Sequence, residues 1–167
     1  ARYKVEVKKA PVLNTFMNFY SKTNLKDISI EDLLGRNPIE PNPILLDKNI
    51  KNKITLVTGA GGSIGSELCH NILKRCPKKL ILIEISEFNL YKIEQKLNDY
   101  KIEKKLNVEI LPILGSIQDR FLLERIFSTF NIDTIFHAAA YKHVPLIERN
   151  IIEGIKNNVY GTKLLID

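Results

Sequence analysis

Cysteine is scarce in this chain: Cys69 and Cys76 are the only two in 167 residues. They are too few for a disulfide framework and, seven apart, match no C-x-x-C redox or zinc pattern. Both read as reduced core thiols of a cytoplasmic protein, and no metal is expected. No apolar run approaches the roughly 18 residues of a membrane span, and no charged-then-apolar start marks a secretory signal. Internal repeats and low-complexity tracts are lacking as well. Apolar residues make up 44% and charged residues 26%, which argues against a disordered tail, a collagen-like rod or a disulfide-dense miniprotein. What remains is a soluble globular protein, and the length suits one ordinary domain.

A one-sided charge is also largely missing where the chain looks folded. The net charge is +6, but residues 1–53 hold 10 basic and 6 acidic residues, whereas residues 54–167 hold 15 and 13. The basic clusters Lys74-Arg75 with Lys78-Lys79, and Lys101 with Lys104-Lys105, fall at the ends of predicted helices. Cations there meet the negative end of the helix dipole, so no nucleic-acid partner and no membrane contact are expected of this segment.

Residues 1–53 lack sustained periodicity and carry Pro11, Pro38, Pro41 and Pro43. They read as a connector with one short helix near residues 30–34, N-capped by Ser29 and closed by Gly35. From Ile54 the texture alternates. Strand-like runs at Ile54–Thr58, Leu80–Ile83, Val108–Leu114 and Asp133–His137 are separated by helical periodicity. One helix covers residues 63–76 with Ile64, Leu68, Ile72 and Cys76 in line, flanked by Cys69 and Leu73; a second carries Leu90, Ile93, Leu97 and Tyr100; a third carries Leu122, Leu123, Ile126, Phe127 and Phe130; a last helix covers residues 151–166. Apolar strands separated by helices predict an α/β fold, a Rossmann-like doubly wound parallel sheet covered on both faces, with strand order 3-2-1-4.

The first strand runs into Thr58-Gly-Ala-Gly-Gly-Ser-Ile-Gly65, which contains G-x-x-G-x-x-G at Gly59, Gly62 and Gly65. Glycine permits the tight turn and a close approach of backbone to a pyrophosphate, while the following helix, opening at Ser63 and Ile64, offers free N–H groups. Glu84, nineteen residues past Gly65, ends the second strand. A carboxylate there accepts from ribose hydroxyls and repels a 2′-phosphate, so NAD is expected over NADP; no arginine stands beside Glu84 to hold such a phosphate, although Ser86 could hydrogen-bond to one. At the third strand tip Ser116 and Ile117 are placed to flank adenine, and Ala138, Ala139 and Ala140 at the fourth leave room for the cofactor to cross. His137 reads as a satisfied core histidine.

With these residues in view, the chain resembles the extended short-chain dehydrogenase/reductases, and within them the membrane-anchored type of bacterial UDP-N-acetylglucosamine 4,6-dehydratase of capsule, O-antigen and glycan synthesis. The resemblance is carried by Ile30-Glu-Asp-Leu-Leu-Gly-Arg36, the glycine motif with Ser66-Glu-Leu68, Ser86-Glu-Phe-Asn-Leu-Tyr-Lys-Ile-Glu94, His137-Ala-Ala-Ala-Tyr-Lys-His-Val-Pro-Leu-Ile-Glu148 and Asn157-Asn-Val-Tyr-Gly-Thr162. It implies a redox-neutral lyase using NAD on a UDP-sugar, feeding polysaccharide synthesis, with residues 1–53 leading in from membrane helices and the domain on the cytoplasmic side of the inner membrane. It also implies that Asn158 organises the site, or alternatively packs its helix, and that Lys142 and His143 meet the nucleotide sugar, or alternatively cap neighbouring backbone. Ser116 stands where such enzymes usually have Asp. Their Thr-Asp-Lys string is absent, so no catalytic residue is expected in this chain; it should follow residue 167, and the chain alone should be inactive. Tyr100 with Lys104 is the only Tyr-x-x-x-Lys and reads as a decoy. A nucleotide-sugar 4-epimerase and a non-catalytic dinucleotide-binding module remain alternatives. The open edge of the fourth strand and the uncovered face of the last helix favour a homo-oligomer.

Overall fold

A computed structural model describes residues 41–167 and two short segments before them, Lys8–Lys9 and Lys26–Asp27. Those two segments pair antiparallel, Lys8 opposite Asp27, within a first compact unit, Ala1–Pro41; a second unit runs from Asn42 to Asp167. The short helix expected near residues 30–34 lies outside the described residues.

The second unit opens with a helix that the sequence reading left in the lead-in, α1 (Pro43–Ile50). Its start is well specified. Asn42 Oδ1 accepts from the N–H groups of Ile44 and Leu45 at 3.0 and 3.2 Å, and Pro43 stands at the first helical position, where its missing donor costs nothing. Then β1 (Ile54–Thr58), α2 (Ser63–Leu73), β2 (Lys79–Glu84), α3 (Glu87–Glu103), β3 (Glu109–Leu114), α4 (Arg120–Thr129) and β4 (Thr134–His137) alternate. The four strands are parallel in the order β3-β2-β1-β4, the 3-2-1-4 arrangement. Pro112, an awkward residue for an inner strand, lies on edge strand β3, where a missing donor is tolerated.

Successive side chains of β1 and β2 feed opposite faces. Val57, Leu80 and Leu82 pack with Ile50 of α1, Cys69, Ile72 and Leu73 of α2, and Leu90, Ile93 and Leu97 of α3. Leu56, Ile81 and Ile83 pack with Leu122, Leu123 and Ile126 of α4 and with Leu164 and Leu165 near the C-terminus. Both faces are therefore covered, which is why β2 reads as an unbroken apolar run over Leu80–Ile83.

The reading of the helix over 63–76 needs correction. Helix α2 buries Gly65, Cys69, Ile72 and Leu73 and ends at Leu73; Ile64 is 64% exposed. Cys76 is no core thiol: it is exposed, with φ +53°, in the turn after the helix. After β4 come α5 (Val144–Glu148) and then the expected helical run over 151–166, in which a π-helical turn (Lys156–Gly161) joins α6 (Ile151–Ile155) to α7 (Thr162–Ile166).

The strand N-terminal end of the unit carries four ion pairs: Arg75–Asp47 at 2.8 Å, Lys53–Asp133 at 3.1 Å, Lys79–Glu109 at 2.8 Å and Lys104–Glu103 at 2.7 Å. Among the described residues no helix is long and apolar enough to cross a membrane, and no group of three or more His, Cys, Asp or Glu could hold a metal ion.

Candidate functional site

The sheet changes direction between β1 and β4: α1 to α3 lie on one face, α4 and α7 on the other. Ligands of doubly wound sheets bind at the carboxyl ends of the strands at such a switch point. A cleft opens there, lined by Gly59 and Gly62 after β1, Glu84 and Ile85 after β2, Gly115, Ser116 and Ile117 after β3, Ala138 to Tyr141 after β4, and Asn89 and Asn157.

The glycines have distinct reasons. Gly59 has φ +65°, and a Cβ there would sit 2.5 Å from the Ala138 carbonyl oxygen. A Cβ on Gly65 would penetrate the Gly59 carbonyl, so strand and helix could not approach as they do. Gly62 is different: a Cβ would meet only the Gly59 oxygen, at 3.3 Å, and otherwise point into open space. Gly62 is the N-cap of α2, and no side chain caps that helix, so the first-turn donors, those of Ser63, Ile64 and Gly65 among them, remain available to a ligand.

Glu84 is buried, 8% exposed. Its Oε2 accepts from Gly61 N–H at 2.9 Å and its Oε1 from Ser86 N–H at 3.1 Å. The carboxylate thus ties the glycine turn to the start of α3 and keeps further lone pairs for a donor in the cleft. Ser86 caps α3, its Oγ accepting from Asn89 N–H at 3.4 Å. Ser116 Oγ accepts from Gln118 N–H at 3.1 Å, which leaves its hydroxyl proton free to donate.

Sequence reasoning missed Asn157. It is 5% exposed and its Nδ2 donates to Ala139 O at 2.7 Å, which fixes the alanine segment. Its neighbour Asn158 holds Tyr141 twice, accepting from Tyr141 N–H at 2.8 Å and donating to Tyr141 O at 2.9 Å. The wider π turn lets two consecutive residues serve the same loop, and such turns recur at functional sites. The Asn-Asn doublet was the only sequence signal for this.

His137 is satisfied but not a core residue; it is exposed at the end of β4, with Nδ1 2.7 Å from Thr58 Oγ1 and Nε2 2.9 Å from Thr162 Oγ1. Thr162 Oγ1 donates to Asn158 O at 2.8 Å, so it accepts from Nε2–H, and Nδ1 accepts from Thr58. Desolvation lowers the His137 pKa, which favours this neutral form.

Lys142 and His143 lie beside the cleft, not in it. They line an adjoining apolar pocket with Tyr141, Leu146, Ile147, Asn150, Glu153 and Gly154, and Tyr141 is common to both. His143 is the N-cap residue of α5 yet makes no side-chain capping bond. Tyr100 is remote, fourteen residues along α3 from Ser86 and so about 20 Å down the helix; its ring stands edge-on to His70 at 4.6 Å.

The family of polysaccharide biosynthesis proteins matches residues 55–167. The chain belongs to that family. Its sequence is 42% identical over 140 residues to the capsular polysaccharide biosynthesis protein CapD of Staphylococcus aureus, covering 84% of this chain and 23% of that protein. It is 30% identical over 117 residues to a UDP-N-acetylglucosamine 4,6-dehydratase (inverting) of Campylobacter jejuni, covering 69% and 32%. Among solved structures it is similar to UDP-glucose 4-epimerase from Bifidobacterium longum in complex with NAD+ and UDP, with TM-score 0.55 and 28% identity over 68% of this chain and 32% of that one. This polysaccharide biosynthesis family member thus spans a third or less of the length of these relatives. The residues that the family model matches include the glycine turn, Glu84, the alanine segment and both asparagines.

Proposed function

We propose that this chain is the NAD-binding part of a nucleotide-sugar 4,6-dehydratase acting on UDP-N-acetylglucosamine in polysaccharide or glycan synthesis. The observation that carries the reading is the cleft at the sheet's switch point, where Gly62 leaves open space beside an uncapped helix start and buried Glu84 closes the far side. A dinucleotide fits these groups. The α2 N-terminus meets the pyrophosphate with backbone N–H donors and the positive end of its dipole. Glu84 accepts from the adenosine ribose hydroxyls, Ile85 and Ile117 flank the base with Ser116 donating to its edge, and Ala138 to Ala140 keep the crossing clear. When bound, NAD supplies the hydride acceptor for sugar C4 and the hydride donor for C6, around loss of water across C5–C6.

The chain's residues toward the sugar are Lys142 and His143, displaced from the dinucleotide by Tyr141, which Asn158 holds in place. Lys142 supplies charge for a diphosphate and His143 a hydrogen bond. Among the described residues we assign none as the base that would take the C4 hydroxyl proton, and we propose that this role falls in the part of the relatives' length that this chain does not cover; the chain alone is then expected to show no turnover. We further propose a homo-oligomer, in a cytoplasmic setting.

The test has two parts. Calorimetric titration of the chain with NAD and with NADP should show NAD binding the tighter; binding of neither would overturn the cofactor reading. The full-length parent protein should convert UDP-N-acetylglucosamine to a product lighter by one water. The likeness to the Bifidobacterium epimerase supports a second reading, 4-epimerisation, in which the product mass would be unchanged.

A further inference from the structure

The chain's excess positive charge is gathered at one end of the second unit, and it is the end away from the cleft. In a parallel sheet the C-terminus of each helix that leads into a strand, and the loop after it, lie at the amino ends of the strands. Residues 47–53, 74–79, 101–109 and 130–133 meet there, and they hold ten basic and four acidic residues; the rest of residues 42–167 hold eight and ten. All four carboxylates at this end are taken up in the ion pairs with Arg75, Lys53, Lys79 and Lys104. Lys48, Lys51, Lys74, Lys78, Lys101 and Lys105 make no ion pair among the described residues, and all but the half-buried Lys101 are exposed. Helix dipoles account for single cations at each helix end, but not for six from three separate segments that have no ion pair among the described residues.

We propose that this end docks on an anionic lipid surface. Six lysines are compact point charges on long stems that can lie along an interface while their ammonium groups reach lipid phosphates. They lack the planar fork with which arginine reads nucleic-acid phosphates and bases. Among the described residues the exposed large apolar side chain at this end is Ile102, 74% exposed and aliphatic, and no exposed aromatic ring offers a base a stacking platform there. Docked in this way, the unit turns the cleft away from the membrane and leaves it open to soluble ligands. The proposal does not depend on what the cleft binds, and it reverses the expectation that this segment makes no membrane contact.

Vesicle flotation of the whole chain tests it. Vesicles of phosphatidylcholine with about 30% phosphatidylglycerol should retain the protein at about 0.1 M salt and release it near 1 M, as the screening length falls from about 10 Å to about 3 Å. Pure phosphatidylcholine should not retain it. The triple variant Lys51→Gln, Lys74→Gln, Lys101→Gln should bind about 100-fold more weakly, while Lys92→Gln, Lys156→Gln, Lys163→Gln, with the same loss of net charge, should bind as the parent does. Unchanged far-UV circular dichroism of both triples excludes misfolding as the cause. Equal loss in both triples, retention by neutral vesicles, or tighter binding to an RNA homopolymer than to the anionic vesicles would each overturn the proposal.

Discussion

At the scale of single residues the glycine motif divides into folding and binding positions. Gly65→Ala should destabilise the unit by roughly 3 kcal/mol in chemical denaturation, because the obstruction is the Gly59 backbone and cannot swing aside. Gly62→Ala should change stability little and weaken NAD, since its Cβ enters open space where a phosphate would lie. Glu84→Gln replaces one of two acceptor oxygens by a donor, leaving either Gly61 N–H or Ser86 N–H unpaired. A loss of about 1–3 kcal/mol is expected, together with a narrowed preference for NAD over NADP in titration. His137 carries a pH prediction. Its folded pKa is lowered by desolvation, so the unfolded chain binds the extra proton first. The neutral bridge contributes stability that is present above the ordinary histidine pKa and is lost as pH falls below about 6.5. The melting temperature should therefore drop between pH 7.5 and 5.5, and drop less in His137→Gln. Motif spacing exposed Gly59, Gly65 and Glu84 in the sequence. Asn157 stayed hidden because its role depends on a π turn, which leaves no periodicity to read.

At the scale of elements, the long periodic segments were legible and their boundaries were not. Helix α3 buries Leu90, Ile93 and Leu97 as its pattern required. In helix α2 Cys69, Ile72 and Leu73 are buried as read and Leu68 packs against them, but Ile64 and Cys76 are exposed, because strict four-residue spacing drifts about 40° per step around a helix of 3.6 residues per turn. Helix α1 went unread among prolines, although Asn42-Pro43 is a start signal. Helix starts offer a direct check. Asp119 Oδ1 accepts from Leu122 N–H at 3.0 Å to cap α4, and Asp119→Ala should cost about 1 kcal/mol in a thermal melt.

For the whole molecule, the edges of the sheet and the outer faces of its last helices bear on assembly. Strand β4 pairs only with β1 among the described strands, and Ile151, Ile152, Ile155 and Val159 are each more than half exposed nearby. The chain should self-associate as its concentration rises in sedimentation velocity; a monodisperse monomer at high concentration would oppose the proposed homo-oligomer. The sequence by itself determined the parallel sheet, its strand order and the glycine turn, since alternation, apolar runs and motif spacing are local properties of the chain. Only the tertiary structure decided that Asn157 faces the cleft, that Lys142 and His143 stand beside it, and that six lysines from separate loops share one end. Those relations join residues far apart in the chain, and only the parallel packing that brings the loops together defines them.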